Sequence, residues 1–236
     1  MSKIELNYSY VVAIVCFIMS FMVLGLGNSP LSLYIAPITE KLGFSRGDFS
    51  LVFTLVTFTT MLIQLVFGFF VNRFGVRALM IIGSILAPIG YFLFYLARTL
   101  PVFYAGGVIL GCAFAFASIT SISIIVHNWF HEKQGTILGL IMAASGLGGF
   151  VFSRIIGKYI AQNGFQSSFL FSAILLAAAT IPVILFTRSN PEGQNTAKPS
   201  TGGHAIGKVS PGSFLKIRGM PIALLAVFLI GVVIHP

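Results

Sequence analysis

The chain has 236 residues, of which 57% are hydrophobic and only 8% charged, with a mean hydropathy of +0.99. Soluble globular domains carry about a quarter charged residues, so this composition excludes one and specifies an integral membrane protein. A net charge of +9 would suggest nucleic acid for a soluble chain, but basic residues gathered at the ends of apolar runs set orientation in a bilayer instead.

A helix crosses the hydrocarbon core with about 20 apolar residues, and runs of that size bounded by charge or turn residues predict six spans. Residues 1–9 form a short amino terminus, and the first span, 10–34, carries a polar break of Gly25, Gly27, Asn28, Ser29 and Pro30. Its apolar part lacks a small-x-small cleavage site, so it is a retained span and not a leader. A loop over 36–48 follows, then spans at 49–71, 78–96, 102–126, 135–160 and 168–186, the last two joined by a turn at 162–166. Residues 188–218 turn polar and basic, rich in Gly, Pro, Ser, Thr and Asn, and read as a flexible linker. A seventh apolar run begins at Gly219 and stops at Pro236, at about 24 Å of helix too short to cross.

Lys and Arg fix the expected orientation. With the amino terminus in the cytoplasm, Lys3, Arg73, Arg77, Lys133, Arg188, Lys198, Lys208, Lys216 and Arg218 lie inside, against Lys41, Arg46, Arg98 and Lys158 outside. The plasma membrane is the expected location. Cys16 and Cys112 lie within apolar runs, without His, Cys or acidic neighbours at metal-ligand spacing, and read as lipid or helix contacts.

Residues 68–77, GFFVNRFGVR, sit between the second and third spans. Gly68 allows close helix approach, Asn72 can cap a helix end, Gly75 permits a tight reversal, and Arg73 and Arg77 stay in water. The pattern resembles the signature loop of the major facilitator superfamily of secondary transporters, in which an acidic residue helps latch two halves in one conformation. Here Asn72 holds that position without the charge.

Residues 128–149, NWFHEKQGTILGLIMAASGLGG, combine an interfacial Trp129 with the small residues Gly135, Gly139, Ala143, Ser145, Gly146, Gly148 and Gly149, which let a helix pack closely. This stretch resembles the oxalate/formate antiporter and monocarboxylate transporter branch of the superfamily. Together the two signatures place residues 7 to about 187 on that family's amino-terminal half. Three features depart from the branch. Residues 7–10, NYSY, lack the carboxylate that its proton-coupled members resemble one another in having, Phe165 and Gln166 follow Gly164 where Trp-Arg is usual, and Arg154 stands where Pro is common.

Transporter halves of this kind are often inverted repeats of three helices. Gly68 and Gly75 are echoed by Gly157 and Gly164 at the end of the fifth span.

Arg154 is the leading candidate for contact with substrate, because a cation within a span is costly, by about 2.5 to 3.5 kcal/mol on insertion scales. Lys158, one helical turn on, shares its face. Three alternatives stand at this point: an anion site, snorkelling to the headgroups, and an ion pair with another transporter half. Asn28, Thr57 and Gln64 are further candidates, with Thr54, Thr60, Ser118, Thr120, Ser121 and Ser123 lining a cavity or bonding between helices. His127 and His131 are four apart, but no third ligand follows.

No nucleophile elbow, phosphate-cradling loop or carboxylate pair appears, so an enzyme is not expected. The expected fold is an all-α polytopic membrane protein: a six-helix amino-terminal half of a major facilitator fold plus a partial seventh helix. The expected function is transport of small organic anions, such as monocarboxylates or dicarboxylates, by alternating access, in a truncated or half carrier. The Gly-Pro pair expected of many drug/proton antiporters is absent from the fifth span. Multidrug efflux and a non-transporting membrane interaction protein are the alternatives. Expected partners are the bilayer, the anion, and a carboxy-terminal half or second copy, with no nucleic acid, cofactor or metal.

Overall fold

The computed structural model describes residues 3–187 apart from 28 and 131–133, with side chains from Tyr8 onward. The expected linker at 188–218 and the partial seventh span lie outside the described residues, as does Asn28. Helices make up the fold, without a strand among the described residues. Stretches Tyr8–Leu42, Arg46–Leu65, Val76–Leu96, Leu100–Trp129 and Gln134–Phe186 are each long and apolar enough to cross a membrane.

The first pass is not one regular helix. Helix α1 (Lys3–Met19) gives way to a π-helical turn over Ser20–Leu26 and a 3₁₀ segment over Ser29–Tyr34, and α2 (Ile35–Leu42) follows. The expected loop at 36–48 is therefore helical over 36–42 and again over 46–48, leaving 43–45 as the connection. Ile38 is fully buried, Pro37 sits in the first turn where no amide donor is needed, and Gly43, at φ 71°, ends the helix. Ser45 then caps α3 (Arg46–Leu65), accepting a hydrogen bond from the Asp48 amide at 3.0 Å.

A short break at Val66 separates α3 from α4 (Phe67–Phe74), and Gly75 reverses the chain into α5 (Val76–Leu96). α6 (Leu100–Phe116) and α7 (Ile119–Trp129) are likewise parted at Ala117 and Ser118. The two breaks are neighbours across one seam. Gln64 donates its side-chain amide to the Ala115 carbonyl at 3.1 Å, Ser121 donates to the Phe116 carbonyl at 2.5 Å, and the Phe70 and Phe116 rings lie 5.5 Å apart. These side chains satisfy carbonyls that a broken helix leaves without partners, a requirement sharpened by the lack of water in lipid.

The 53-residue element α8 (Gln134–Phe186) would run about 80 Å if straight, far beyond a hydrocarbon core of about 30 Å. It reverses at Gly164, at φ 78° and ψ 165°. Its first arm runs parallel to the first pass, with Ser20 bonded to the Ile141 carbonyl and Gly25 against Gly148. Its second arm runs back, with Tyr34 bonded to Ser168 at one end and Tyr8 to the Phe186 carbonyl at the other. Gly75 has nearly the same conformation, φ 78° and ψ 150°, at the opposite end of the bundle. The echo between 68–75 and 157–164 thus resides in the turn glycines. Gly68 meets nothing within 4 Å and Gly157 only the tip of Leu33, so neither supplies the close helix approach expected of Gly68.

The core is aromatic at one end, where Tyr34 stacks on Phe169 at 4.0 Å and Phe94, Phe103 and Phe169 cluster. Large apolar side chains such as Leu65, Phe69 and Leu185 are exposed, as lipid-facing positions are. Cys16 is buried and Cys112 half-buried, both as free thiols among apolar neighbours.

Candidate functional site

Ser29, Gly146, Gly149, Phe150, Ser153 and Arg154 line an open groove of about 480 Å³ between the first pass and the first arm of α8. Its walls stand close because two helices meet through glycine. A Cβ on Gly25 would come 2.8 Å from the Gly148 Cα, and one on Gly148 would collide with the Phe21 carbonyl oxygen. Gly149 in turn leaves the space that the Ser29 hydroxyl occupies. Of the small residues expected to allow tight packing, Gly148 and Gly149 are buried and do so, whereas Ala143 is exposed and Ser145 half-buried. Gly135, Gly139 and Gly146 face open space.

Arg154 is exposed and forms no ion pair or hydrogen bond with another described residue. No described residue takes up its guanidinium donors, whose fork geometry suits a carboxylate. The Ser29 and Ser153 hydroxyls add two adaptable donors, and Phe150 supplies an apolar wall. Lys158, one turn further on, is also exposed and adds positive charge along the same helix.

Asn28 lies outside the described residues, and the other described candidates, Thr57 and Gln64, do not line this groove. Thr57 is exposed on α3, while the Gln64 side-chain nitrogen is engaged with Ala115. Thr60 lies within hydrogen-bond distance of the Val56 and Gly111 carbonyls. Ser118 accepts from the Ser121 amide as the cap of α7, and Ser123 bonds the Ile119 carbonyl. For Gln64, Thr60, Ser118, Ser121 and Ser123, bonding within and between helices is the observed role.

In the 68–77 turn, Asn72, Arg73 and Arg77 are exposed. Asn72 is not a cap: α4 continues past it to Phe74 and ends on Gly75, whose amide bonds the Val71 carbonyl at 2.9 Å. Arg73 lies 5.9 Å from the Phe74 ring centroid. His127 pairs with Gln134 at 3.1 Å, and no three metal-binding side chains gather among the described residues. His131 lies outside them.

Sequence reasoning missed two hydroxyls. Proline has no amide hydrogen, so the carbonyl four residues before it loses its helical donor. Pro88 leaves the Ser84 carbonyl in this state, and the Thr180 hydroxyl lies 2.7 Å from it. Pro30 does the same to the Leu26 carbonyl, and the Tyr91 hydroxyl lies 3.3 Å from it and 3.0 Å from the Gly27 carbonyl. The prolines were the available signal, but they do not say which helix supplies the donor.

Residues 12–235 match the family described as the Major Facilitator Superfamily. The chain is 24% identical over 159 residues to a protein named as an uncharacterised MFS-type transporter, YcxA, of Bacillus subtilis (strain 168), covering 67% of this chain and 39% of that one. It is 27% identical over 171 residues to the oxalate:formate antiporter of Oxalobacter formigenes, covering 71% of this chain and 39% of the relative. With monocarboxylate transporter 12-B of Danio rerio it shares 27% over 141 residues, covering 57% and 29%. The chain spans about two fifths or less of the length of these relatives.

Proposed function

The chain belongs to the Major Facilitator Superfamily, and from that premise we propose that it forms the six-span amino-terminal half of a secondary carrier for small organic anions. Arg154 binds the carboxylate, Ser29 and Ser153 orient it, and Lys158 raises the local concentration of anions at the mouth of the groove. The observation that carries this is the Arg154 guanidinium, without a partner among the described residues, on a groove with two serine hydroxyls. An ionisable residue within a span is by default a candidate for a substrate path. The names of two relatives, one for oxalate and formate and one for monocarboxylates, agree with a carboxylate ligand. Asn28 and Thr57 remain candidate contacts once a second wall faces this half, and Gln64 joins them if its bond to Ala115 is released.

In this reading the second wall comes from a carboxy-terminal half or a second copy, and the two rock about a midplane site. The 68–77 turn lies on the cytoplasmic side, where Gly75 shapes it and Asn72, Arg73 and Arg77 form a latch weaker than one bearing a carboxylate. The carrier resides in the plasma membrane with its amino terminus inside.

Binding of radiolabelled oxalate to vesicles carrying the chain tests the assignment. Arg154→Gln is expected to weaken it by about ten- to a hundredfold, the loss of a charge-assisted pair of hydrogen bonds. Equal binding by the variant sinks the anion site.

A further inference from the structure

We infer that Tyr91, on α5, is a positioning residue for the groove: it supplies the donor that Pro30 withholds from the first pass, and so fixes the backbone that presents Ser29 opposite Arg154. This deepens the proposed function and rests on it for the identity of the ligand.

Pro30 explains why the break needs a donor from elsewhere. In an α-helix its nitrogen would serve the carbonyl of Leu26, and in a 3₁₀ turn that of Gly27. Proline can serve neither. The first pass changes from π to 3₁₀ geometry at this point, and the Tyr91 hydroxyl lies within 3.3 Å of both carbonyl oxygens. Tyr91 is fully buried, and its ring is wedged against Phe94 and Phe169. That packing fixes where the hydroxyl sits. Two residues beyond Gly27, Ser29 emerges exposed into the space left by Gly149. Tyr91 is not among the residues lining the groove, and its hydroxyl lies against the Leu26 and Gly27 carbonyls, so its effect on the ligand runs through the backbone of the first pass.

The test reads the geometry directly. Cys16 and Cys112 are the only cysteines, so with both replaced by Ala a Ser29→Cys variant reports the groove by its rate of reaction with a charged thiol reagent. Tyr91→Phe keeps the ring and removes the donor, and is expected to change that rate by at least about fivefold. Pro30→Ala restores an amide hydrogen to the break, so Pro30→Ala/Tyr91→Phe is expected to return the rate to within about twofold of the parent. An unchanged rate in Tyr91→Phe, or a changed rate that Pro30→Ala does not restore, overturns the inference. If Tyr91→Phe alone does not accumulate in the membrane, the double variant decides: accumulation with the parental rate supports the role, and failure like the single variant removes it. No anion enters this measurement, so its failure and the failure of oxalate binding to respond to Arg154→Gln are separate results.

Discussion

Thr180 holds its hydroxyl 2.7 Å from the carbonyl oxygen of Ser84, the oxygen that Pro88 leaves without a donor in its own helix. The same hydroxyl is 2.9 Å from the Leu176 carbonyl, and its single proton serves one of them at a time. Thr180→Val keeps the shape and removes the donor. Thermal unfolding in detergent is expected to show a loss of about 0.6 to 2 kcal/mol. The loss should shrink in a Pro88→Ala background, where the helix supplies its own amide. Equal losses in both backgrounds would show that Thr180 acts by some other contact.

Gly148 and Gly146 lie two residues apart on α8 and predict opposite outcomes. A Cβ at Gly148 collides with the Phe21 carbonyl, whereas one at Gly146 meets nothing within 4 Å. Gly148→Ala must push the first pass away from α8, at about 1 to 3 kcal/mol. Gly146→Ala should be neutral or slightly stabilising, since alanine favours a helix by up to about 1 kcal/mol over glycine. Comparison of the two melting temperatures checks this, and similar shifts would contradict the packing described.

Within the 68–77 turn the same contrast separates conformation from packing. Gly75 adopts φ 78°, a region that side chains resist, while Gly68 is helical with open space around it. Gly75→Ala is expected to destabilise by about 1 to 2 kcal/mol, and Gly68→Ala to be tolerated. The sequence reading assigned Gly68 a packing role that the melting curve of this variant would restore only by falling.

The helical passes were legible because their cause is local. Apolar runs bounded by charge specify a membrane helix wherever they occur, and Gly75 and Gly164 mark reversals that few other residues allow. Arg154 stands out in the sequence for the same reason, as a cation that the surrounding run does not explain, and its contact with a solute is a proposal. The breaks within the passes were not, because their partners are distant in the chain. Gln64 reaches Ala115 across 51 residues, Tyr91 reaches Leu26 across 65, and Ser84 waits for Thr180 across 96. A proline or a run of serines announces that a carbonyl needs a donor, but only tertiary packing names it. Gln64 illustrates this: a polar side chain in an apolar run looks the same whether it faces a solute or a neighbouring backbone, and here its amide is bonded to the Ala115 carbonyl.

Gln64 and Arg154 therefore make a paired prediction. The Gln64 side-chain nitrogen serves the Ala115 carbonyl just before the α6–α7 break, so Gln64→Leu leaves that oxygen without this donor in a medium that offers no water. A stability loss of about 1 to 3 kcal/mol is expected, with oxalate affinity in the surviving folded fraction kept within about twofold. Arg154→Gln should do the reverse. Removing an exposed cation that has no partner among the described residues relieves an insertion cost of up to about 3 kcal/mol, so the folded chain is kept or strengthened while oxalate binding falls. Measuring both quantities on both variants separates a residue that holds the bundle together from one that meets the solute. If Gln64→Leu instead lost binding and kept its melting temperature, the solute path would run along α3, and the groove beside Phe150 would not be the site.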